Sequence, residues 1–458
     1  MATEFSSHIF LYQQKKNHQM IEHIVLGGHN DVGMNMHAIK VGNEVILLDM
    51  GLNVDKFVQY TEDREDPNLD PKILTRIGAI PNLTPIKSWM GDIKVIIPSH
   101  GHLDHIGAVP YLGKKIPQDI VATPYTIAVI KKILQDNNYS IPNKLKEVPV
   151  NGSYKVSPTI TAEFINMTHS IPHTAMVCLH TPEGNIVYAN DFKLDNTPVL
   201  GKKPNLERLE QIGKEGVKLL IIESLNASEE RKTPSEAVAK EMLRDVLLGV
   251  RSKGKAIIVT TFSSHIARLK TILEFSKELE REVIFMGRSL YKYISAAESI
   301  NLVKFSDRAK VIGFKDKIAT KLRQVQKNKG KYLIVMTGHQ GEPQSVLSRL
   351  ISNQFDFILE PDDHVIFSCS VIPNQVNIDN RDRMERELRA RKVRIFKDVH
   401  VSGHASREDL KDLITILNPK TIVPSHGPEK KRIVLHDLAR EMGYKSVLLD
   451  DGRTLSLP

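Results

Sequence analysis

Ser99-His100-Gly101-His102-Leu103-Asp104-His105 places three histidines and an aspartate within six residues. Zinc takes imidazole nitrogen and carboxylate oxygen at about 2.0–2.2 Å, so these side chains can share metal only where the backbone turns tightly. The apolar run 94–97, followed by Pro98, Ser99 and Gly101, supplies such a turn. His100 and His102 alternate in an extended segment and can face one metal. Asp104 and His105 begin a helical turn and can face a second. A chance cluster of surface histidines is a poor explanation of this spacing, even among 18 histidines.

Around this motif, the composition narrows the possibilities. A chain of 458 residues exceeds one ordinary domain, and 41% hydrophobic with 26% charged residues is usual for a soluble globular protein. No apolar run reaches the length of a membrane span. The polar start MATEFSSHIFLYQQKKNHQM lacks the apolar centre of a signal peptide. Cys178 and Cys369 are the only cysteines, which argues against a disulfide framework or a thiolate metal site and fits a reducing cytoplasm. Any metal must then be held by nitrogen and oxygen. The net charge of +9 is unevenly spread: residues 228–395 hold 31 Lys and Arg against 21 Asp and Glu, and the remainder 32 against 33. A basic segment beside a neutral one fits a polyanion partner, although a solvated lysine-rich face would look the same.

Short apolar runs alternate with amphipathic stretches, the pattern of an α/β protein. Strands are expected at 44–48, 94–97, 185–189 and 218–222, each ending near a carboxylate or histidine. From Pro234 the rhythm lengthens. A helix near 235–249, a strand at 256–260, a helix near 267–279 and strands at 282–285, 332–336 and 364–367 read as a doubly wound parallel sheet. After Arg394 short elements return, ending in a strand-like 446–449. One domain inserted into another follows.

HGHLDHIG resembles the HxHxDH signature of the metallo-β-lactamase superfamily. Further motifs of that superfamily stand in the expected order: Asp49 in LLDMG, His169 in MTHSIP, Asp191 in YANDFKLD and His426 in VPSHGP. The resemblance implies an αββα sandwich with two zinc ions. His100, His102, His169 and Asp191 would hold one; Asp104, His105, Asp191 and His426 would hold the other; Asp49 would support the ligand loop. His173 is a rival to His169. His8, His18, His180 and His436 are read as structural. Glu223 in VKLLIIES and His404 in VSGHAS resemble the additional motifs of the β-CASP nucleases, whose inserted α/β domain matches the basic segment. The resemblance divides the chain into 1–227 and 396–458 of the metallo-β-lactamase domain around a β-CASP domain at 228–395. GGHNDVGMN, THSIP, NDFKLD, IESLNAS and VSGHAS most resemble the ribonuclease J family, in its short archaeal form. Glu223 and His173 stand where bacterial members usually have aspartate.

A two-zinc site supplies a nucleophile at neutral pH and neutralises phosphate charge. Glu223 would orient His404 as general acid for the leaving oxygen. Ser406 with Asp409 reads as a variant capping box, placing a helix N-terminus beside the site. By the resemblance, Ser402, His404, Ala405 and Ser406, with Ser370 in the turn Ser368-Cys369-Ser370, would grip a 5′-phosphate of single-stranded RNA. Lys315, Lys317 and Lys321 are candidate contacts to the RNA backbone. The expected activity is a 5′→3′ exoribonuclease, with endoribonuclease action as the alternative. A DNA-repair nuclease is disfavoured by His426, and a small-molecule hydrolase leaves the basic insertion unused. An inactive RNA-binding subunit would have lost ligands, and none is missing. A homodimer is compatible with this reading.

Overall fold

Period-two alternation decides which way each strand faces. In Glu44–Leu48, Ile46 and Leu48 enter one core while Val45 and Leu47 enter another. In Val217–Glu223, Leu219 and Ile221 share the first of these cores, and Leu220 and Ile222 face away from it. The computed structural model describes residues 20–30, 32–62, 64 and 67–458. His8 and His18 lie outside the described residues.

Two sheets pack face to face. The first runs in the order Thr454–Leu457, Ile21–Gly27, Met36–Val41, Glu44–Leu48, Ile93–Ile97, Ile120–Ala122, Leu145–Glu147. The second runs Ile422–Ser425, Val217–Glu223, Gly184–Ala189, Ala175–Thr181, Thr161–Asn166, Ser153–Lys155. Their shared core holds Val25, Ile46, Val95, Phe164, Leu179, Ile186 and Val423. The helix Pro124–Asp136 buries its apolar face against the outer side of the first sheet. Leu206–Glu215, Arg407–Leu417 and Glu429–Glu441 cover the second. This is the metallo-β-lactamase sandwich.

A third sheet, parallel throughout, carries the inserted β-CASP domain. Its order is Ala309–Ile312, Glu282–Met286, Tyr332–Met336, Ile257–Thr260, His364–Phe367, Arg394–Phe396. Helices cover both faces, as a parallel sheet requires. Ile266–Glu278 and Arg288–Ser299 lie on the side facing the sandwich, and Lys315–Gln326 and Gln375–Ala390 on the other. The helix Arg288–Ser299 packs on Pro124–Asp136, and the Tyr125 hydroxyl donates to the Tyr293 carbonyl across 3.0 Å. One apolar cluster therefore runs through both domains.

The strand-like stretch 446–449 is not a strand. Ser446 makes a single bridge to Ile422, and the carbonyl of Leu449 is taken by Arg432 Nη1 and His29 Nδ1, each at 2.7 Å. The terminal ladder is Thr454–Leu457, antiparallel to Ile21–Gly27.

Candidate metal centre

The site lies where strand ends of all three sheets meet. Asp49 follows Glu44–Leu48, His100 follows Ile93–Ile97, Asp191 follows Gly184–Ala189, His426 follows Ile422–Ser425, and Glu223 closes its own strand. Asp49, Asp191 and His426 have φ of 62°, 50° and 45°, a region that non-glycine residues rarely occupy. These left-handed turns aim the side chains out of the strand ends, and strain of this kind concentrates at functional sites. Gly51 allows the loop after Asp49 to pass beneath the ligand turn, since a Cβ there would lie 1.7 Å from the Asp104 carbonyl oxygen.

Two four-donor groups form, each with its donor atoms within 4.8 Å of one another: His100, His102, His169 and Asp191, and Asp104, His105, Asp191 and His426. Asp191 belongs to both. Its Oδ2 lies 3.5 Å from His100 Nε2, 3.6 Å from His169 Nε2 and 3.3 Å from His105 Nε2, while Oδ1 lies 3.3 Å from His426 Nε2. Asp191 Oδ1 is buried and accepts no hydrogen bond. A buried carboxylate oxygen without a partner, ringed by imidazole nitrogens, fits a cation. Burial holds His100, His102 and His169 below the ordinary histidine pKa, leaving nitrogen lone pairs for a metal. Burial opposes charge on Asp191 and Asp104 too, but neighbouring imidazoles outweigh it and keep both carboxyls below their usual range.

Side chains behind the donors fix their orientation. Asp49 Oδ2 receives the Tyr188 hydroxyl at 2.6 Å and meets His105 Nδ1 at 2.6 Å, while Oδ1 accepts from Ser99 N at 2.6 Å. With Nδ1 so engaged, His105 turns Nε2 to the centre. Asn35 Oδ1 meets His426 Nδ1 at 3.0 Å, and its amide donates to the Asp104 carbonyl at 3.1 Å. His169 Nδ1 lies 2.6 Å from the Gly403 carbonyl; a Cβ at Gly403 would press on that imidazole at 3.0 Å. His102 Nε2 meets Ser264 Oγ at 3.0 Å, a contact supplied by the β-CASP sheet. Asn35, Tyr188 and Ser264 escape sequence reasoning. Asn35 and Tyr188 had a signal, as the last residue of GGHNDVGMN and the first of YANDFKLD; Ser264 had none.

His404 stands beside the cluster, its ring stacked on His426 at 5.6 Å. Its Nδ1 meets Glu223 Oε2 at 2.7 Å, and Glu223 Oε1 accepts from Phe192 N and Ala405 N. Burial lowers the His404 pKa, but the charges of Glu223 and Asp191 outweigh it and bring it up to about 9. Nε2 is left to face the centre.

Other expected residues fall elsewhere. His173 joins neither donor group; its Nδ1 accepts from Tyr125 N at 3.3 Å. Ser406 forms the capping box with Asp409. Its hydroxyl is buried against Thr233 Oγ1 at 2.9 Å, and its N–H donates to Thr233 Oγ1 and Asp409 Oδ2. Ala405 is likewise buried, with its N–H spent on Glu223. Ser402 is partly exposed, its Oγ accepting from His404 N and Asn226 Nδ2, and Ser370 is exposed. Lys315 and Lys317 are exposed, whereas Lys321 is buried with its ammonium 4.6 Å over the Tyr332 ring and is no phosphate contact. Behind Ser370, Arg268 is fully buried. It binds Glu236 through two nitrogens at 2.6 and 2.9 Å and donates to Ser368 Oγ and the Val399 carbonyl.

Comparison with known proteins gives this geometry a family. The description "Ribonuclease J, beta-CASP domain" matches residues 254–381, "Metallo-beta-lactamase superfamily" 90–231, and "Zn-dependent metallo-hydrolase RNA specificity domain" 390–449. Ribonuclease J of Methanocaldococcus jannaschii is 42% identical over 442 residues, covering 95% of this chain and 98% of that protein. The chain belongs to the ribonuclease J family. Ribonuclease J of Pyrococcus abyssi is 41% identical, covering 96% of this chain and 98% of its own, and that of Thermus thermophilus 33%, covering 95% and 74%. A solved structure of an Enterococcus faecalis protein of unknown function shares the fold, with a TM-score of 0.64 at 18% identity over 96% of this chain and 100% of that one. This ribonuclease J family member is a metal-dependent ribonuclease. No helix among its described residues is long and apolar enough to cross a membrane.

Proposed function

We propose that the chain degrades single-stranded RNA in the cytoplasm from a 5′-monophosphorylated end, with two zinc ions. The observation that carries the reading is the pair of four-donor groups sharing Asp191, with the His404–Glu223 pair at their side. His100, His102, His169 and Asp191 hold one ion, and Asp104, His105, Asp191 and His426 the other. When bound, the ions supply a nucleophile at neutral pH and neutralise charge on the phosphate. His404, protonated and oriented by Glu223, gives a proton from Nε2 to the leaving 3′-oxygen. Asp49, Tyr188 and Asn35 keep the donor imidazoles aimed. By sequence, 1–227 and 396–458 are assigned to the metallo-β-lactamase domain and 228–395 to the β-CASP domain, whose exposed Lys315 and Lys317 meet phosphate.

Ser370, Ser402 and the His404 loop grip the 5′-phosphate. A pocket of limited depth takes a monophosphate and rejects a triphosphate by clash. The test compares one RNA carrying 5′-monophosphate, triphosphate or hydroxyl; the monophosphate form decays fastest, with mononucleotide release from the start. The committed N–H and hydroxyl of Ser406 favour a second reading, internal cleavage, because they leave the pocket fewer donors. Equal rates on all three ends with early internal fragments establish that reading instead.

A further inference from the structure

Among the described residues, eleven large apolar side chains are exposed, and only two are aromatic: Phe314 at 54% and Tyr291 at 36%. They are neighbours, with ring centroids 6.0 Å apart and planes at 54°. Tyr291 rests on the backbone of Gly313, where a Cβ would fall 2.9 Å from its own Cβ. Phe314 sits at the start of the helix Lys315–Gln326, its carbonyl accepting from Ile318 N at 3.0 Å. Both rings are thus held by rigid elements, and neither belongs to a core. Leaving two such rings in water has a cost that a stacked ligand removes. Cations surround them: Lys317 Nζ lies 5.9 Å from the Phe314 centroid, Lys315 is exposed beside it, and Arg288 is exposed one turn before Tyr291. Asp316 is the one carboxylate in 313–317.

The pair lies at the C-terminal end of the outermost β-CASP strand, and the loop that brings Ser264 to His102 leaves the same end of this parallel sheet. Phe314 and Gly313 follow the outermost strand Ala309–Ile312, and Ser264, which touches His102, follows Ile257–Thr260 three strands away. Strands lie about 4.8 Å apart, so the two strand ends are offset by roughly 14–15 Å across the sheet. On the opposite side of Ile257–Thr260 lies His364–Phe367, which leads to Ser370. A strand with its 5′ end at Ser370 therefore crosses the metal centre and runs on towards Tyr291 and Phe314. At the roughly 3.4 Å per nucleotide of a stacked strand, that offset corresponds to roughly four nucleotides.

We propose that Tyr291 and Phe314 form a stacking platform for the bases of single-stranded RNA on the 3′ side of the cut. This rests on the RNA-cleaving reading above and deepens it. Base–aromatic stacking tolerates any sequence, and flanking lysines hold the backbone without reading it. The platform makes substrate length a determinant of KM: an RNA too short to reach it loses its contribution.

The experiment measures kcat and KM on a 5′-monophosphorylated trinucleotide and on an RNA of about twelve nucleotides, where removing a stacking ring is expected to cost roughly ten-fold in KM. Tyr291→Ala/Phe314→Ala should raise KM for the longer RNA with kcat held, and leave the trinucleotide unchanged. Tyr291→Phe and Phe314→Trp should behave as wild type. In a His404→Ala background, 2-aminopurine placed about four nucleotides past the cut should be quenched on binding, and the quench should vanish with both rings removed. Equal losses on short and long RNA, or no loss on either, overturn the platform. If the wild type cleaves neither RNA, the functional reading fails first; if it cleaves both and the variants match it, the platform alone fails.

Discussion

Replacing Asp49 by Asn keeps the size of the side chain and removes its charge, and the structure says what that costs. Asp49 Oδ2 is met by Ser99 Oγ at 3.1 Å, His105 Nδ1 at 2.6 Å and the Tyr188 hydroxyl at 2.6 Å; Oδ1 accepts from Ser99 N at 2.6 Å. An asparagine amide must turn its nitrogen to one set or the other. Facing Oδ1's partner it loses one backbone bond; facing Oδ2's partners it loses the His105 and Tyr188 bonds together. The first orientation wins, at about 1.5–3 kcal/mol for one lost bond to a charged group. His105 also loses an anionic partner, one of three carboxylates that lift its pKa against burial. Mutating a side chain that orients a ligand typically weakens metal affinity by about 10–100-fold, here through the charge lost behind His105. Asp49→Asn should therefore lower zinc affinity by that factor and destabilise the metal-free protein by about 2–3 kcal/mol. Competition against a zinc chelator reads the first quantity, and denaturant unfolding of metal-free protein the second. Tyr188→Phe should give a smaller loss in both, about 1 kcal/mol in stability. Wild-type zinc affinity in Asp49→Asn would refute the orienting role.

His404→Ala should keep bound metal yet lose about 10²–10⁴-fold in kcat. Because His404 must be protonated to act, activity should fall as pH rises through its pKa. Bound cations move that limb below the metal-free value of about 9, and Glu223→Gln should move it lower still, as a pH–rate profile will show. Arg268→Met leaves buried Glu236 without its guanidinium, with His265 Nε2 at 3.3 Å as a remaining partner, and should cost about 3–5 kcal/mol by denaturant unfolding, with Arg268→Met/Glu236→Gln recovering part of it. Glu163 is opposed by burial, but hydrogen bonds from His180 and Arg208 hold its pKa down to about 2 against an ordinary 4.5. Its contribution is complete above the unfolded value and is lost as pH falls towards 2, so Glu163→Gln should unfold with a flatter acid limb, read by circular dichroism against pH.

The strands around the site were legible because they are apolar runs with punctuated ends; 44–48 matches a strand residue for residue, and 218–222 lies within Val217–Glu223. The donors were legible because HGHLDH is dense and the remaining ligands stand at strand ends. Their supports were not. Tyr188 reaches Asp49 across 139 residues of sequence, and Ser264 reaches His102 across 162, so no local pattern pairs them with the side chains they support. Lys321 was misplaced because a lysine stem can lie along apolar surface, here over Tyr332, while its sequence neighbours are solvated. The Ser406 signature marks both a capped helix start and an anion site; the cap is formed, with Thr233, far away in sequence, as a partner that no local pattern marks. The stretch 446–449 is apolar enough for a strand, but Arg432 and His29 take the Leu449 carbonyl.

Asp191 is the one side chain common to both donor groups, so the most direct measurement pairs metal content with RNA cleavage in Asp191→Ala. Wild-type protein reconstituted with zinc should bind two ions, cleave end-labelled RNA, stop on chelation and recover on zinc return. Asp191→Ala should lose tight binding at both positions and cleave nothing at any zinc concentration that saturates the wild type. An Asp191→Ala protein that holds two zinc ions tightly and still cleaves RNA would contradict a shared, bridging carboxylate as the centre of this site.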